Sequence, residues 1–198
     1  MKKVILVLAV VLICATADGQ RIGLKAGVNF ANANFEVMDL NVSLSSRTGV
    51  LFGVVSEFQL YDFLYLQPAL LFAQKGYDAE FEGMSGFDHF NYLDLPINFL
   101  VKADLQGPKL LLYTGPTISY GLNGKTEFEN DREDIQFGSG DDKYDRFALG
   151  WNVGGGLEFL NLQLTGEYTF GLSDITHLGD VSLKHKAFSI SLAYFFGN

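Results

Sequence analysis

The segment Lys186–Phe196, K-A-F-S-I-S-L-A-Y-F-F, decides the fold. Phe188, Ile190, Leu192, Tyr194 and Phe196 fall on one face of a strand, and Ala187, Ser189, Ser191 and Ala193 on the other. Successive strand side chains point to opposite faces, so one face is aromatic and aliphatic while the other is small and polar. Repeated around a closed sheet, this alternation gives a cylinder with an apolar outside and a polar inside, as in a membrane-spanning β-barrel.

Seven earlier segments alternate in the same way. They run near residues 22–31, 49–60, 64–75, 92–102, 110–123, 147–159 and 162–172. The sixth is the cleanest: Phe147, Leu149, Trp151, Val153, Leu157 and Phe159 oppose Ala148, Gly150, Asn152, Gly154, Gly156 and Glu158. Each is close to the roughly 9–11 residues that a tilted membrane strand needs. Connections near Tyr61, Gln106 and Asn161 are short, whereas 36–48, 78–89, 125–146 and 173–185 are longer and polar. Short turns on one rim and long loops on the other are the asymmetry of outer-membrane barrels, with the long loops expected outside the cell. The expected fold is all-β: an eight-stranded antiparallel up-and-down transmembrane β-barrel over residues 21–198.

A soluble lipocalin-type barrel is the competing eight-stranded architecture, and it would turn the bulky residues inward around a ligand. Two observations favour the membrane reading. Lys25, Glu57, Lys75, Asp94, Lys102, Glu158 and Glu167 all share a face with Gly, Ala, Ser and Thr. An eight-stranded interior also has room only for packed side chains or one small ligand, too little for so many Phe, Leu and Trp side chains. Tyr120, Phe147, Phe159, Phe170 and Phe196, near strand ends, are expected at the two lipid–water interfaces.

Residues 1–20 read as a signal peptide. Lys2 and Lys3 precede a short apolar run, Val4 to Ile13, and Ala15-Thr16-Ala17 has the small-x-small form of a cleavage site. Cleavage after Ala17 or after Gln20 both fit. The apolar run is shorter than the roughly 20 residues of a membrane helix. Cys14 is the single cysteine; Ile13 before it fits lipoprotein processing poorly, and removal of the leader leaves no thiol chemistry. A formal charge of −9 argues against a nucleic-acid partner, because phosphate-backbone binding relies on Lys and Arg.

The seven inward-facing charges are the candidate site. Uncompensated charge in a low-dielectric interior is costly, so opposite charges should be neighbours and form a polar plug. Lining a pore is the alternative role. Other constellations point to less. His89, His177 and His185 lie in expected loops, and Ser173, Asp174 and His177 lack the Gly-x-Ser-x-Gly elbow of a hydrolase. The acid-rich stretch from Glu127 to Asp145 does not match the EF-hand spacing and reads as a solvated loop. Gly154-Gly155-Gly156 sits inside a strand with no helix after it, so it reads as space for large neighbours across the lumen. No catalytic residue, cofactor or metal is expected.

Several stretches together resemble the PorT-like outer-membrane β-barrel family of Bacteroidota. They are Gly23-Leu24-Lys25-Ala26-Gly27-Val28-Asn29, Leu66-Gln67-Pro68-Ala69-Leu70-Leu71 and Asn91-Tyr92-Leu93-Asp94-Leu95-Pro96. Gly115-Pro116, Gly154-Gly155-Gly156-Leu157-Glu158 and Gly171-Leu172-Ser173-Asp174-Ile175 follow in the family's order. The resemblance implies an eight-stranded porin-family barrel in the outer membrane of a Gram-negative cell, with some relatives serving protein secretion. The partners expected of such a barrel are outer-membrane lipid and lipopolysaccharide, with a protein at the extracellular loops as a further candidate. The leading expectation is a non-enzymatic structural or surface-interaction protein. A narrow conduit for ions or very small solutes, an accessory of protein secretion and a lipid-directed hydrolase are the alternatives.

Overall fold

The computed structural model describes residues 20–37, 40–43, 45–81, 84–128, 131–135, 145–173 and 182–196. Among the described residues ten strands follow in chain order: β1 (Gln20–Val37), β2 (Leu40–Ser43), β3 (Ser45–Gln59), β4 (Leu64–Phe81) and β5 (Met84–Asp104). They continue as β6 (Lys109–Phe128), β7 (Asp131–Ile135), β8 (Phe147–Phe159), β9 (Leu162–Gly171) and β10 (Ser182–Phe196). Eight of them build a wall in the order β1-β3-β4-β5-β6-β8-β9-β10, every neighbour antiparallel. Pairing of β1 with β10, from Ile22↔Phe196 to Glu36↔Ser182, closes the cylinder. The two short strands are appendages: β2 pairs with the end of β1, and β7 with the end of β6.

Alternation sorts the side chains as the periodicity predicts. Phe52, Trp151, Phe170 and Leu192 are exposed on the outside, whereas Lys25 and Glu167 are buried inside. The inside-out, lipocalin-like arrangement is therefore excluded. Aromatic side chains pair along the outer face, with Tyr120 against Phe147 at 5.0 Å and Tyr194 against Phe196 at 5.2 Å between ring centroids. Trp151 gives its indole N–H to Thr114 Oγ1 at 2.8 Å, so its polar edge is satisfied on the apolar surface.

The short connections match expectation: Leu60–Phe63, Leu105–Pro108 and the two-residue Leu160-Asn161 turn. The long ones do not all remain loops. Over 78–89, strands β4 and β5 continue their ladder to Phe81↔Met84, a tight hairpin rather than a loop. The start of β3, the end of β6 and the whole of β7 likewise occupy segments expected as loops. The physical reason is that apolar alternation reports contact with lipid, not strand conformation. A ladder can run on past the lipid on backbone hydrogen bonds alone, with a polar sequence that carries no such signature.

A bulge at Leu122 of β6, opposite the Asn91–Tyr92 step of β5, lies where the apolar outer face of this wall gives way to polar residues. Above it Asn91 Nδ2 donates to Asn123 Oδ1 at 2.6 Å on the outer surface, with Gln74 in register beside them.

Candidate functional site: a polar plug across the lumen

At the short-turn end of the lumen, four charges and two amides from six strands meet. Glu57 of β3 receives two hydrogen bonds from Arg21 of β1, at 2.5 and 3.1 Å, and one from Lys102 of β5 at 2.6 Å. Glu158 of β8 receives Arg21 at 3.0 Å and Lys102 at 2.7 Å. Each cation therefore bridges both acids. Gln163 of β9 donates to Glu57 at 2.9 Å and to Glu158 at 2.6 Å. Gln67 of β4 donates to Glu57 at 3.1 Å and to Gln163 at 3.0 Å. Strands β4 and β9 stand on opposite walls, so the contact between Gln67 and Gln163 crosses the full lumen.

Aromatic rings line the same layer. The guanidinium of Arg21 lies 4.8 Å from the Phe195 ring centre, and the Lys102 ammonium 4.4 Å from that of Tyr65. Such rings favour cations through their negative faces. Phe195 is fully buried, and Leu100 and Leu111 complete an apolar collar around the charges. The rings and the collar screen the two acids and Lys102 from water, and hydrogen bonds to charged groups are strong in such a layer, while Arg21 stays partly exposed.

The middle of the lumen is a second polar layer. Asn98 donates to Glu167 at 3.3 Å, and Asn152 donates to Thr117 Oγ1 at 2.5 Å. Tyr113 of β6 reaches this layer because Gly154 has no side chain: a Cβ there would clash with the hydroxyl end of the Tyr113 ring, 2.5 Å from its oxygen. Gly154 thus makes room for a large neighbour, but that neighbour is its register partner on the adjacent strand β6 rather than a side chain from across the lumen, and only part of the glycine run faces inward. Gly155 lies on the outer, lipid-side face of β8 by alternation.

Toward the long-loop end, Lys75 pairs with Asp94 at 2.8 Å and donates to Ser119 Oγ at 3.2 Å. A void of about 30 Å³ below it is lined by Asp94, Thr117, Glu167 and Ser189 among others. One of about 20 Å³ above it is lined by Tyr92, Ser119 and Ser173 among others. Each has room for about one or two waters. Neither is lined by a residue of the plug.

All seven expected inward charges are therefore found inside, and five of them are paired. Glu57, Lys102 and Glu158 join the plug, and Lys75 joins Asp94. Glu167 stands apart with an amide partner. Lys25 departs from the expected pairing: it is buried, yet no ion pair or hydrogen bond reaches it among the described residues. Arg21, the hub of the plug, escaped sequence reasoning because it adjoins the leader, where it reads as a mature N-terminus. Its position on the same face as Gly23 and Lys25 was the available signal. Gln67 and Gln163 carry no charge and so drew no attention.

Of the remaining constellations, His177 and Asp174 lie outside the described residues, as do Glu129, Asp141 and Asp142 of the acid-rich stretch. His89 falls on β5 and His185 on β10. Ser173 has a structural part: its Oγ accepts the Leu149 N–H at 2.8 Å, tying the ends of β8 and β9 together.

A closed antiparallel cylinder, apolar outside and ionic inside, defines an outer-membrane-type β-barrel. The family of outer membrane protein beta-barrel domains matches residues 17–177, and the chain belongs to that family. Among solved structures, OprG from Pseudomonas aeruginosa is similar at 10% identity and a TM-score of 0.52, covering 91% of this chain and 97% of that one. Neisserial surface protein A is similar at 14% identity and a TM-score of 0.49, over 90% and 98% of the two chains. Ail of Yersinia pestis is similar at 13% identity and a TM-score of 0.45, over 91% and 100%. A search of curated protein sequences returns no match. At such identity the likeness to OprG speaks for the fold alone. The location that follows from family and fold is the outer membrane.

Proposed function

We propose that this chain is a closed, non-enzymatic outer-membrane barrel that acts through its long-loop rim, as a structural or surface-interaction protein. The observation that carries this reading is the plug, in which Gln67 and Gln163 meet from opposite walls between two acids and two cations. Such a layer gives rigidity and no passage. In this reading residues 1–20 are a signal peptide, the long loops face the cell exterior, and the aromatic outer face sits in membrane lipid and lipopolysaccharide. Purified protein in a planar bilayer tests the reading. It should give no stable unitary currents; stable currents would replace it with the narrow-conduit reading.

The motifs that resemble PorT-like barrels support a place in that branch and motivate one further reading, an accessory role in protein secretion. Deleting the gene and comparing secreted proteins tests it: an unchanged profile removes the secretion role. The hydrolase reading is removed if His177→Ala leaves membrane lipid profiles unaltered.

A further inference from the structure

Hairpin turns that face water are normally built from Gly, Asn, Asp, Ser and Pro, which suit turn geometry and solvation. The short-turn rim departs from this. Leu160 is 77% exposed, Tyr61 69%, Phe63 59%, Leu105 52% and Leu60 45%. Every one of the three turns thus presents at least one large apolar side chain at its tip.

Leu160 is the sharpest case. Its φ of 55° lies in the left-handed region, which Gly adopts freely and other residues adopt at a cost. Local geometry therefore favours a different residue, and a bulky aliphatic group is present instead. The apolar surface is continuous with the lipid face of the wall. Phe159 and Leu162 flank Leu160, Val101 leads toward Leu105, and Leu110 follows that turn, all exposed on the outside.

The opposite rim is built differently. On β4, β5 and β6 the apolar outer face stops at the outward amide row of Gln74, Asn91 and Asn123, and strands β4 and β5 run on beyond it. On these strands the apolar surface reaches the end on the short-turn side only, whereas at the long-loop ends of β8 and β9 Phe147 and Leu172 remain exposed.

We propose that the short-turn rim is a membrane-interface surface, its turn tips seated among phospholipid headgroups rather than in the aqueous space beyond. Tyr61 suits that zone, since its ring is apolar and its hydroxyl can stay hydrated. Asp62 and Asp104, the exposed acids on this rim among the described residues, then face outward into water between the anchoring side chains. A barrel so placed has little body on this side for a soluble protein to grip, so partners approach from the long-loop side. The inference holds whether or not the lumen conducts.

The test uses full-length mature barrel carrying Trp151→Phe, which removes the single native tryptophan. Leu160→Trp and Tyr61→Trp are each added to it, with Lys125→Trp as the long-loop-side reference. All are refolded into phosphatidylcholine vesicles. Emission from the two turn positions should be blue-shifted, quenched by lipids brominated near the glycerol end of the acyl chain, and several-fold less sensitive to acrylamide than emission from Lys125→Trp. Emission at the wavelength of the reference, with equal acrylamide quenching, would overturn the proposal and leave the rim open to a soluble partner. Tyr61→Trp, an aromatic exchange, carries the test by itself if Leu160→Trp does not fold.

Discussion

Replacing Glu57 by Gln removes one charge from the plug and almost no volume. Arg21 and Lys102 would then share Glu158 alone, leaving one buried positive charge uncompensated. Glu57 accepts five hydrogen bonds, three of them from cations, and its side chain is 1% exposed. Breaking a buried pair by removing one partner typically costs about 3–5 kcal/mol. Arg21, whose side chain is 19% exposed, can recover some hydration, which places the expected loss toward the lower end, about 3 kcal/mol. Urea unfolding of the barrel in vesicles, followed by Trp151 fluorescence, reads this as a fall in midpoint at constant slope.

The decisive measurement is the double variant Glu57→Gln with Lys102→Met. It restores charge balance, leaving Arg21 with Glu158, and it replaces the ammonium stem with an apolar one beside Tyr65. It should be more stable than Glu57→Gln alone, although it lacks more contacts. If the two losses simply add, or if Glu57→Gln costs less than about 1 kcal/mol, the charges are not coupled and the plug is not an electrostatic unit.

Three further outcomes are expected. Gly154→Leu should be destabilised by about 1–3 kcal/mol through overlap with Tyr113, and combining it with Tyr113→Ala should restore stability; a mild effect with no rescue would contradict the packing seen here. Lys25→Met should raise the urea midpoint by about 1 kcal/mol, because the largely buried side chain gives up part of its ammonium's hydration with no ion partner among the described residues; a fall would mean that Lys25 has a counter-charge. Thr114→Val should leave the Trp151 N–H unsatisfied on the lipid face, with a loss of about 1 kcal/mol and an altered Trp151 emission spectrum; an unchanged spectrum would place no weight on that bond.

Much of this architecture was legible in the chain because lipid imposes a strict rule on alternate residues. Phe147 to Phe159 and Phe188 to Phe196 obey it, and so face and register follow directly from the residues. Legibility fails where a large apolar residue faces inward. In Leu110-Leu111-Leu112-Tyr113, both faces are bulky, and nothing local tells that Leu111 and Tyr113 close the lumen. Phe195 hides in the same way between Tyr194 and Phe196. The seven inward charges could be named in advance, since charge on an alternating strand can only face one way. Their partners could not, because Gln67 and Gln163 lie 96 residues apart and meet only once the sheet has closed. Strand length beyond the lipid was also hidden, since water tolerates a polar ladder and a polar loop equally well.

The seam between β1 and β10 joins the first wall strand to the last, through fifteen paired positions. A nascent barrel stopped before β10 would therefore carry two raw edges of unpaired peptide groups, a state the hydrocarbon interior does not tolerate. Completion is thus decided at one place and at the end: Phe195 drops into the lumen beneath Arg21 as Phe196 turns to the acyl chains. A single stretch of chain serves as latch and as stopper, and a lesion there should yield no barrel at all rather than a leaky one.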